Sequence, residues 1–63
     1  MDVPKFTFAD FEACARRELK YRIRVYPRLV DEGRMNEARA QREIELMASI
    51  ADYFESMSQG RLL

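Results

Sequence analysis

Two amphipathic runs with a single short interruption dominate this chain. From Phe8 the apolar residues recur through Phe11, Ala15, Leu19, Ile23, Tyr26 and Val30. A second series, with one polar member, runs through Ala40, Glu43, Met47, Ile50, Phe54 and Met57. At about 100° per residue each series falls on one face of an α-helix. The interruption is Gly33-Arg34-Met35-Asn36. No set of Gly and Pro punctuates a succession of short strands, so the chain reads as all-α.

The helix ends carry their own signals. Thr7 is a good N-cap, since its hydroxyl can accept a bond from a free amide of the first turn. Asp10, at the third helical position, favours the positive helix end, and Phe6 and Phe11 are spaced as a hydrophobic staple. Cys14, Tyr21, Val25 and Leu29 widen the apolar face of this first helix. Gly33 can take the left-handed conformation that ends it. Asn36 caps the second helix, with Glu37 in its first turn. Ile44, Leu46, Ala51 and Tyr53 flank the second seam.

Pro27 interrupts this pattern. A proline inside a helix removes one amide bond and crowds the carbonyl four residues back. Yet the apolar period continues to Val30, so we read one helix kinked at Pro27, the alternative being a break at Tyr26. The expected architecture is an antiparallel two-helix hairpin. The first helix spans about 8–32, the second about 37–57, and the loop is about three residues. Residues 1–63 form one domain, with 1–6 as an N-terminal arm and 58–63 as a frayed tail. The short loop sets a register in which Tyr26 lies near Glu43, Ile23 near Met47, Leu19 near Ile50, Ala15 near Phe54 and Phe11 near Met57. Phe6, Phe8, Phe11, Tyr53 and Phe54 then gather at the open end.

Sixty-three residues bury little surface, and each apolar arc is wider than one partner helix can cover. The expected resolution is a homodimer that forms a four-helix bundle. The alternatives are a different protein partner or a stable monomer. Phe8, Phe11, Leu19, Met47, Ile50, Tyr53 and Phe54 are the candidate core of a dimer or partner groove.

Polar residues inside the arcs need partners, because a lone buried charge is costly. Glu18 and Arg22 stand four residues apart and can pair directly. Together with Glu43 and the Tyr26 hydroxyl they form a candidate partly buried network that fixes register. A ligand site built on Arg22 and Glu43 is the sharper alternative, but no second carboxylate, His or Gly-rich loop stands with them.

Eleven basic and eleven acidic residues balance to zero, yet they are unevenly placed. Residues 16–28 carry +5 and residues 43–55 carry −4. Arg17, Lys20, Arg24 and Arg28 recur at helical spacing as a basic ridge. With Tyr26 and Pro27 they make the candidate recognition surface. Such a ridge is the footprint of phosphate binding, although a solvated face is its commoner meaning, and zero net charge weakens the nucleic-acid reading. The opposed basic and acidic faces also suit steering of subunits together or recruitment of a charged protein partner.

Catalysis finds little to work with. There is no His and only one Cys, which excludes His-based triads, Cys/His zinc sites within one chain and a disulfide framework. Cys14 is expected to be a small buried apolar residue. No P-loop or dinucleotide fingerprint occurs. The expectation is a non-enzyme without cofactor or metal. No apolar run approaches the ~18 residues of a membrane span, and Met1 to Lys5 lacks a signal-peptide core, so a soluble cytoplasmic setting is expected.

The segments Arg24-Val25-Tyr26-Pro27-Arg28-Leu29-Val30 and Gly33-Arg34-Met35, followed by a helix carrying Arg42-Glu43-Ile44-Glu45-Leu46-Met47 and Asp52-Tyr53, resemble a group of small uncharacterised proteins encoded in phages and prophages of proteobacteria. The resemblance covers about half the chain and implies a helical hairpin of phage-related origin. It assigns no activity and no site residues. Position 29, Leu here, is more often Trp in that group. In plan alone, the hairpin also resembles the Rop dimer, an RNA-binding plasmid protein whose residues do not match.

Overall fold

The computed structural model describes residues 5–60. Two α-helices, α1 (Phe8–Asp31) and α2 (Glu37–Ser58), pack against each other as a hairpin. No strand occurs among the described residues. The helix bounds lie within a residue of those expected, and α1 is helical straight through Pro27, which removes the alternative of a break at Tyr26. Ser58 is still helical, Gln59 caps α2 and Gly60 follows with φ 66°, so α2 reaches into the expected tail. Residues 1–4 of the expected arm and 61–63 of the tail lie outside the described residues.

The caps form as their chemistry dictates. The Thr7 hydroxyl accepts from the Asp10 amide at 3.1 Å, and the Thr7 amide donates back to the Asp10 carboxylate at 2.9 Å. This closes a capping box in which Asp takes the usual Glu position. The Asn36 side-chain oxygen accepts from the Arg39 amide at 3.0 Å. Between the helices, Arg34 N–H donates to the Leu29 carbonyl at 2.8 Å and Gly33 N–H to the Val30 carbonyl at 3.0 Å. That bond pair is a Schellman motif, and it needs a left-handed residue, which Gly33 supplies at φ 72°.

The loop has five non-helical residues, 32–36, rather than three. Across the helices Arg16 reaches Asp52 and Glu55 and Ser58 reaches Glu12, pairs that fit the expected register. Phe11 meets Phe54 in a tilted pair with ring centroids 5.3 Å apart, and Arg22, one turn before Tyr26, is the residue that reaches Glu43. The seam is rotated. Ala15, Val25, Ala40 and Ala51 are the buried residues, and Ala51 is fully covered. Ile23, expected on the seam, is 53% exposed, and Met57 is exposed too. Val25 and Ala51, expected on the flanks, are buried instead. The cause is steric and polar together. Three alanines let the helices approach closely, and that approach brings Arg22, a residue hydropathy alone would keep out, onto the inner face.

Candidate functional site

Arg22 is the centre of the polar cluster. Its side chain is only 17% exposed. Nε donates to Glu18 Oε2 at 3.0 Å, and Nη1 donates to the Glu43 main-chain carbonyl at 2.8 Å, with Glu43 Oε1 at 3.5 Å. Tyr26 joins through its ring, whose centroid lies 5.8 Å from the guanidinium carbon; the expected contact was through its hydroxyl. The structure therefore brings Glu18, Arg22, Tyr26 and Glu43 together. Nε and Nη1 of Arg22 both point at protein, so the cluster fastens α1 to α2.

A second polar link escaped the sequence reading. Arg16 Nη2 donates to Glu55 Oε1 at 2.5 Å and to Asp52 Oδ1 at 3.1 Å, with Glu12 4.0 Å from its Nε. Ser58 Oγ donates to Glu12 at 3.2 Å. The hydrogen bond to Asp52 holds the Arg16 guanidinium above its ordinary pKa; loss of hydration opposes this, and Glu55 adds to it. The signal was available: a +5 segment and a −4 segment face each other in any antiparallel hairpin. Charge totals alone do not say which cation meets which carboxylate.

The two polar links engage Glu12, Glu18, Glu43, Asp52 and Glu55. Arg17, Lys20, Arg24 and Arg28 are all exposed, and no ion pair among the described residues includes any of them. They line the side of α1 turned away from α2. Arg24 lies over the Tyr21 ring at 6.0 Å. Pro27 is exposed beside this ridge, and Tyr26 is half-buried with its ring turned to Arg22. The ridge is four unpaired cations over about 16 Å of helix.

At the open end Phe8, Phe11, Tyr53 and Phe54 form a four-ring cluster, with neighbouring centroids 5.3 to 6.4 Å apart. Phe6 stands apart from it, lining a shallow hollow with Phe11, Cys14 and Arg17. The cluster is not hidden: Phe8, Phe11 and Tyr53 are exposed, Tyr53 at 60%. Cys14 is exposed as well, against the expectation of burial. It sits on the flank of the rotated seam. Leu19, Met47 and Ile50 are half-buried.

No group of three or more His, Cys, Asp or Glu among the described residues could hold a metal ion. No helix of the described residues is long and apolar enough to cross a membrane. Compared with known proteins, the chain matches no family model, no curated protein and no solved structure.

Proposed function

We propose that this chain is a non-enzymatic interaction protein that pairs into a four-helix bundle and binds an acidic protein surface through the basic ridge of α1. The observation that carries this reading is the ridge itself. Arg17, Lys20, Arg24 and Arg28 remain exposed and outside every ion pair among the described residues, while Arg16 and Arg22 are held by Asp52, Glu55, Glu18 and Glu43. Uncompensated like charges in a row repel one another, and a partner of opposite sign relieves that repulsion and accelerates encounter. The resemblance of the Val25-Tyr26-Pro27-Arg28 and Gly33-Arg34-Met35 segments to phage-encoded hairpins supports a phage-type protein working in the bacterial cytoplasm.

A bend in α1 at Pro27 belongs to the same reading. The carbonyl of Ile23 cannot receive its usual bond from position 27, and Ile23 and Pro27 are both exposed, so that carbonyl can be hydrated. The bend curves the last turn of α1 around α2 and keeps Arg28 on the convex side.

The same ridge favours a second reading, nucleic-acid binding by phosphate contacts. Nuclease-treated affinity capture separates the two. Expected for protein binding is a captured acidic protein that survives nuclease and is lost in Arg24→Glu/Arg28→Glu. A gel shift with RNA or DNA that weakens with salt and vanishes in the same variant would replace it with the second reading. Unchanged capture by the charge-reversed variant rejects the ridge in either role.

A further inference from the structure

We propose that the open trough beside the α1–α2 seam, floored by Ala15 and Met47 and walled by Phe11, Cys14, Ile50 and Phe54, is the surface on which a second copy of this chain docks. The proposal rests on the bundle reading above and adds to it a face, an occupant and a mode of fit.

The two sides of the seam differ in chemistry. On one side, Arg16 ties α1 to Asp52 and Glu55, and Ser58 ties α2 to Glu12. These bonds span the groove with polar groups that keep their water. On the other side no such bridge spans the stretch between Phe11 and Glu18. An open hollow of about 340 Å³ runs there instead, lined by Phe11, Cys14, Ala15, Met47, Ile50 and Phe54, with Glu18 at one end. At about 100° per residue, Tyr21 on α1 and Leu46 and Tyr53 on α2 project on this same side, and all three are exposed. The Glu18–Arg22–Glu43 cluster closes the trough toward the turn, so the apolar contact is confined to the open-end half of the hairpin.

A second copy fits this face for two reasons. The first is area. The chain exposes 5343 Å², whereas a compact monomer of 7.5 kDa exposes about 4,200 Å². The surplus of about 1,100 Å² per chain is the size of one partner's share of a standard interface, about 800 Å². The shape agrees: the radius of gyration is 14.6 Å, close to the roughly 14 Å of a globule twice this length and well above the roughly 11 Å of one this size. The second reason is self-complementarity. A two-fold interface requires knobs and holes on one patch, and here the exposed Tyr21, Leu46 and Tyr53 stand beside the hollow that a copy's equivalents would fill.

Cys14 lies inside this patch and is exposed in the single hairpin, so its thiol reports on docking. The test uses the full chain. Sedimentation equilibrium measures the mass of wild type, of Ile50→Glu in the trough and of Ile23→Glu on the opposite side. Expected is a dimer for wild type and Ile23→Glu, and a monomer for Ile50→Glu. Because Ile50→Glu can also unfold the chain, the second measurement is made on the wild-type protein. The rate of Cys14 reaction with a small aromatic disulfide should fall at least about tenfold at total concentrations about a hundredfold above the dimer Kd, where under a tenth of the chain is monomer. A Ser49→Cys thiol on the outer side of α2, in a Cys14→Ala background, should keep its rate. A monomer at high concentration, or a dimer whose Cys14 reacts as fast as the Ser49→Cys control, overturns the proposal. A dimer that protects Cys14 while Arg24→Glu/Arg28→Glu still captures its partner overturns only the ridge reading.

Discussion

Arg22 on α1 is bonded to the backbone of α2: its Nη1 donates to the main-chain carbonyl of Glu43 at 2.8 Å. A contact to main chain depends on the relative placement of the helices and not on the identity of the residue it reaches. With Glu18 bound through Nε at 3.0 Å, the guanidinium fork is held at two points, and the helices cannot slide without breaking one of them. Arg22→Met should therefore lower the unfolding free energy by about 1–2 kcal/mol, as charge-assisted bonds to a mostly covered donor are lost. Arg22→Lys should recover less than half, since an ammonium lacks the fork. The concerted Glu18→Leu/Arg22→Met/Glu43→Leu replacement should be neutral or stabilising, because it also removes the stranded charges. Urea unfolding at fixed protein concentration reads all three, and an Arg22→Met protein as stable as wild type would reject the clamp.

Gly33 offers a test free of packing effects. A Cβ built there meets no heavy atom within 4 Å, yet φ is 72°. Replacement by Ala therefore costs only backbone strain, about 1–2 kcal/mol. In a domain this small that lowers Tm by about 4–8 °C for each kcal/mol. Gly33→Asn should cost less, since Asn enters the left-handed region more readily. Equal Tm values for Gly33→Ala and wild type, by circular dichroism, would mean that the Schellman bonds at Val30 and Leu29 do not hold the turn in solution.

The caps, the turn and both helix lengths were legible in the sequence because each rests on local chemistry: Thr7 with Asp10, Asn36 with the Arg39 amide, Gly33 at the C-terminus of α1. The seam was not legible, because it is decided between helices. Reading apolar residues alone placed Ile23 on the inside and Arg22 beside it as an anomaly. The structure reverses their roles: Arg22 finds a carboxylate and a carbonyl on the inner face, while Ile23, one position on and about 100° round the helix, is 53% exposed. The basic ridge was legible because charge repeats at helical spacing. That Arg16 stands apart from it required knowing which residue lies opposite.

Arg16 should contribute a salt-sensitive link. It and its partners Asp52 and Glu55 are partly in water, so screening reaches them. Arg16→Gln should lower Tm in dilute buffer, and the difference from wild type should shrink at about 1 M salt, where the Debye length is about 3 Å. The pH sign follows from the raised guanidinium pKa. A cation stabilised in the folded state supports folding at every pH below its unfolded pKa, and the support fades only as pH rises through the folded value, beyond the alkaline range of ordinary measurement. Titration of Arg16 itself thus adds no pH dependence near neutrality. A difference that persists unchanged at high salt would assign the effect of Arg16 to packing of its stem instead.

Pro27 sits inside α1 on an exposed position, four residues after the exposed Ile23. Two outcomes of removing it can be separated by magnitude. In an isolated helix interior, proline costs about 3 kcal/mol relative to Ala. Here the lost bond belongs to a carbonyl on the solvent side, which water can satisfy, so the recoverable part is smaller. Pro27→Ala should therefore stabilise the hairpin by about 1–2 kcal/mol, with a matching rise in Tm and in helical ellipticity. The opposite result has a definite meaning. Leu29 and Val30 supply the carbonyls that close the Schellman turn, and the proposed bend at Pro27 would set their direction. A lower Tm for Pro27→Ala would show that a straightened α1 misplaces those carbonyls, and that the turn at Gly33 depends on the bend. Hydrogen exchange at the Gly33 and Arg34 amides distinguishes the cases: protection that survives in Pro27→Ala accompanies stabilisation, and protection lost there accompanies the bend-dependent turn.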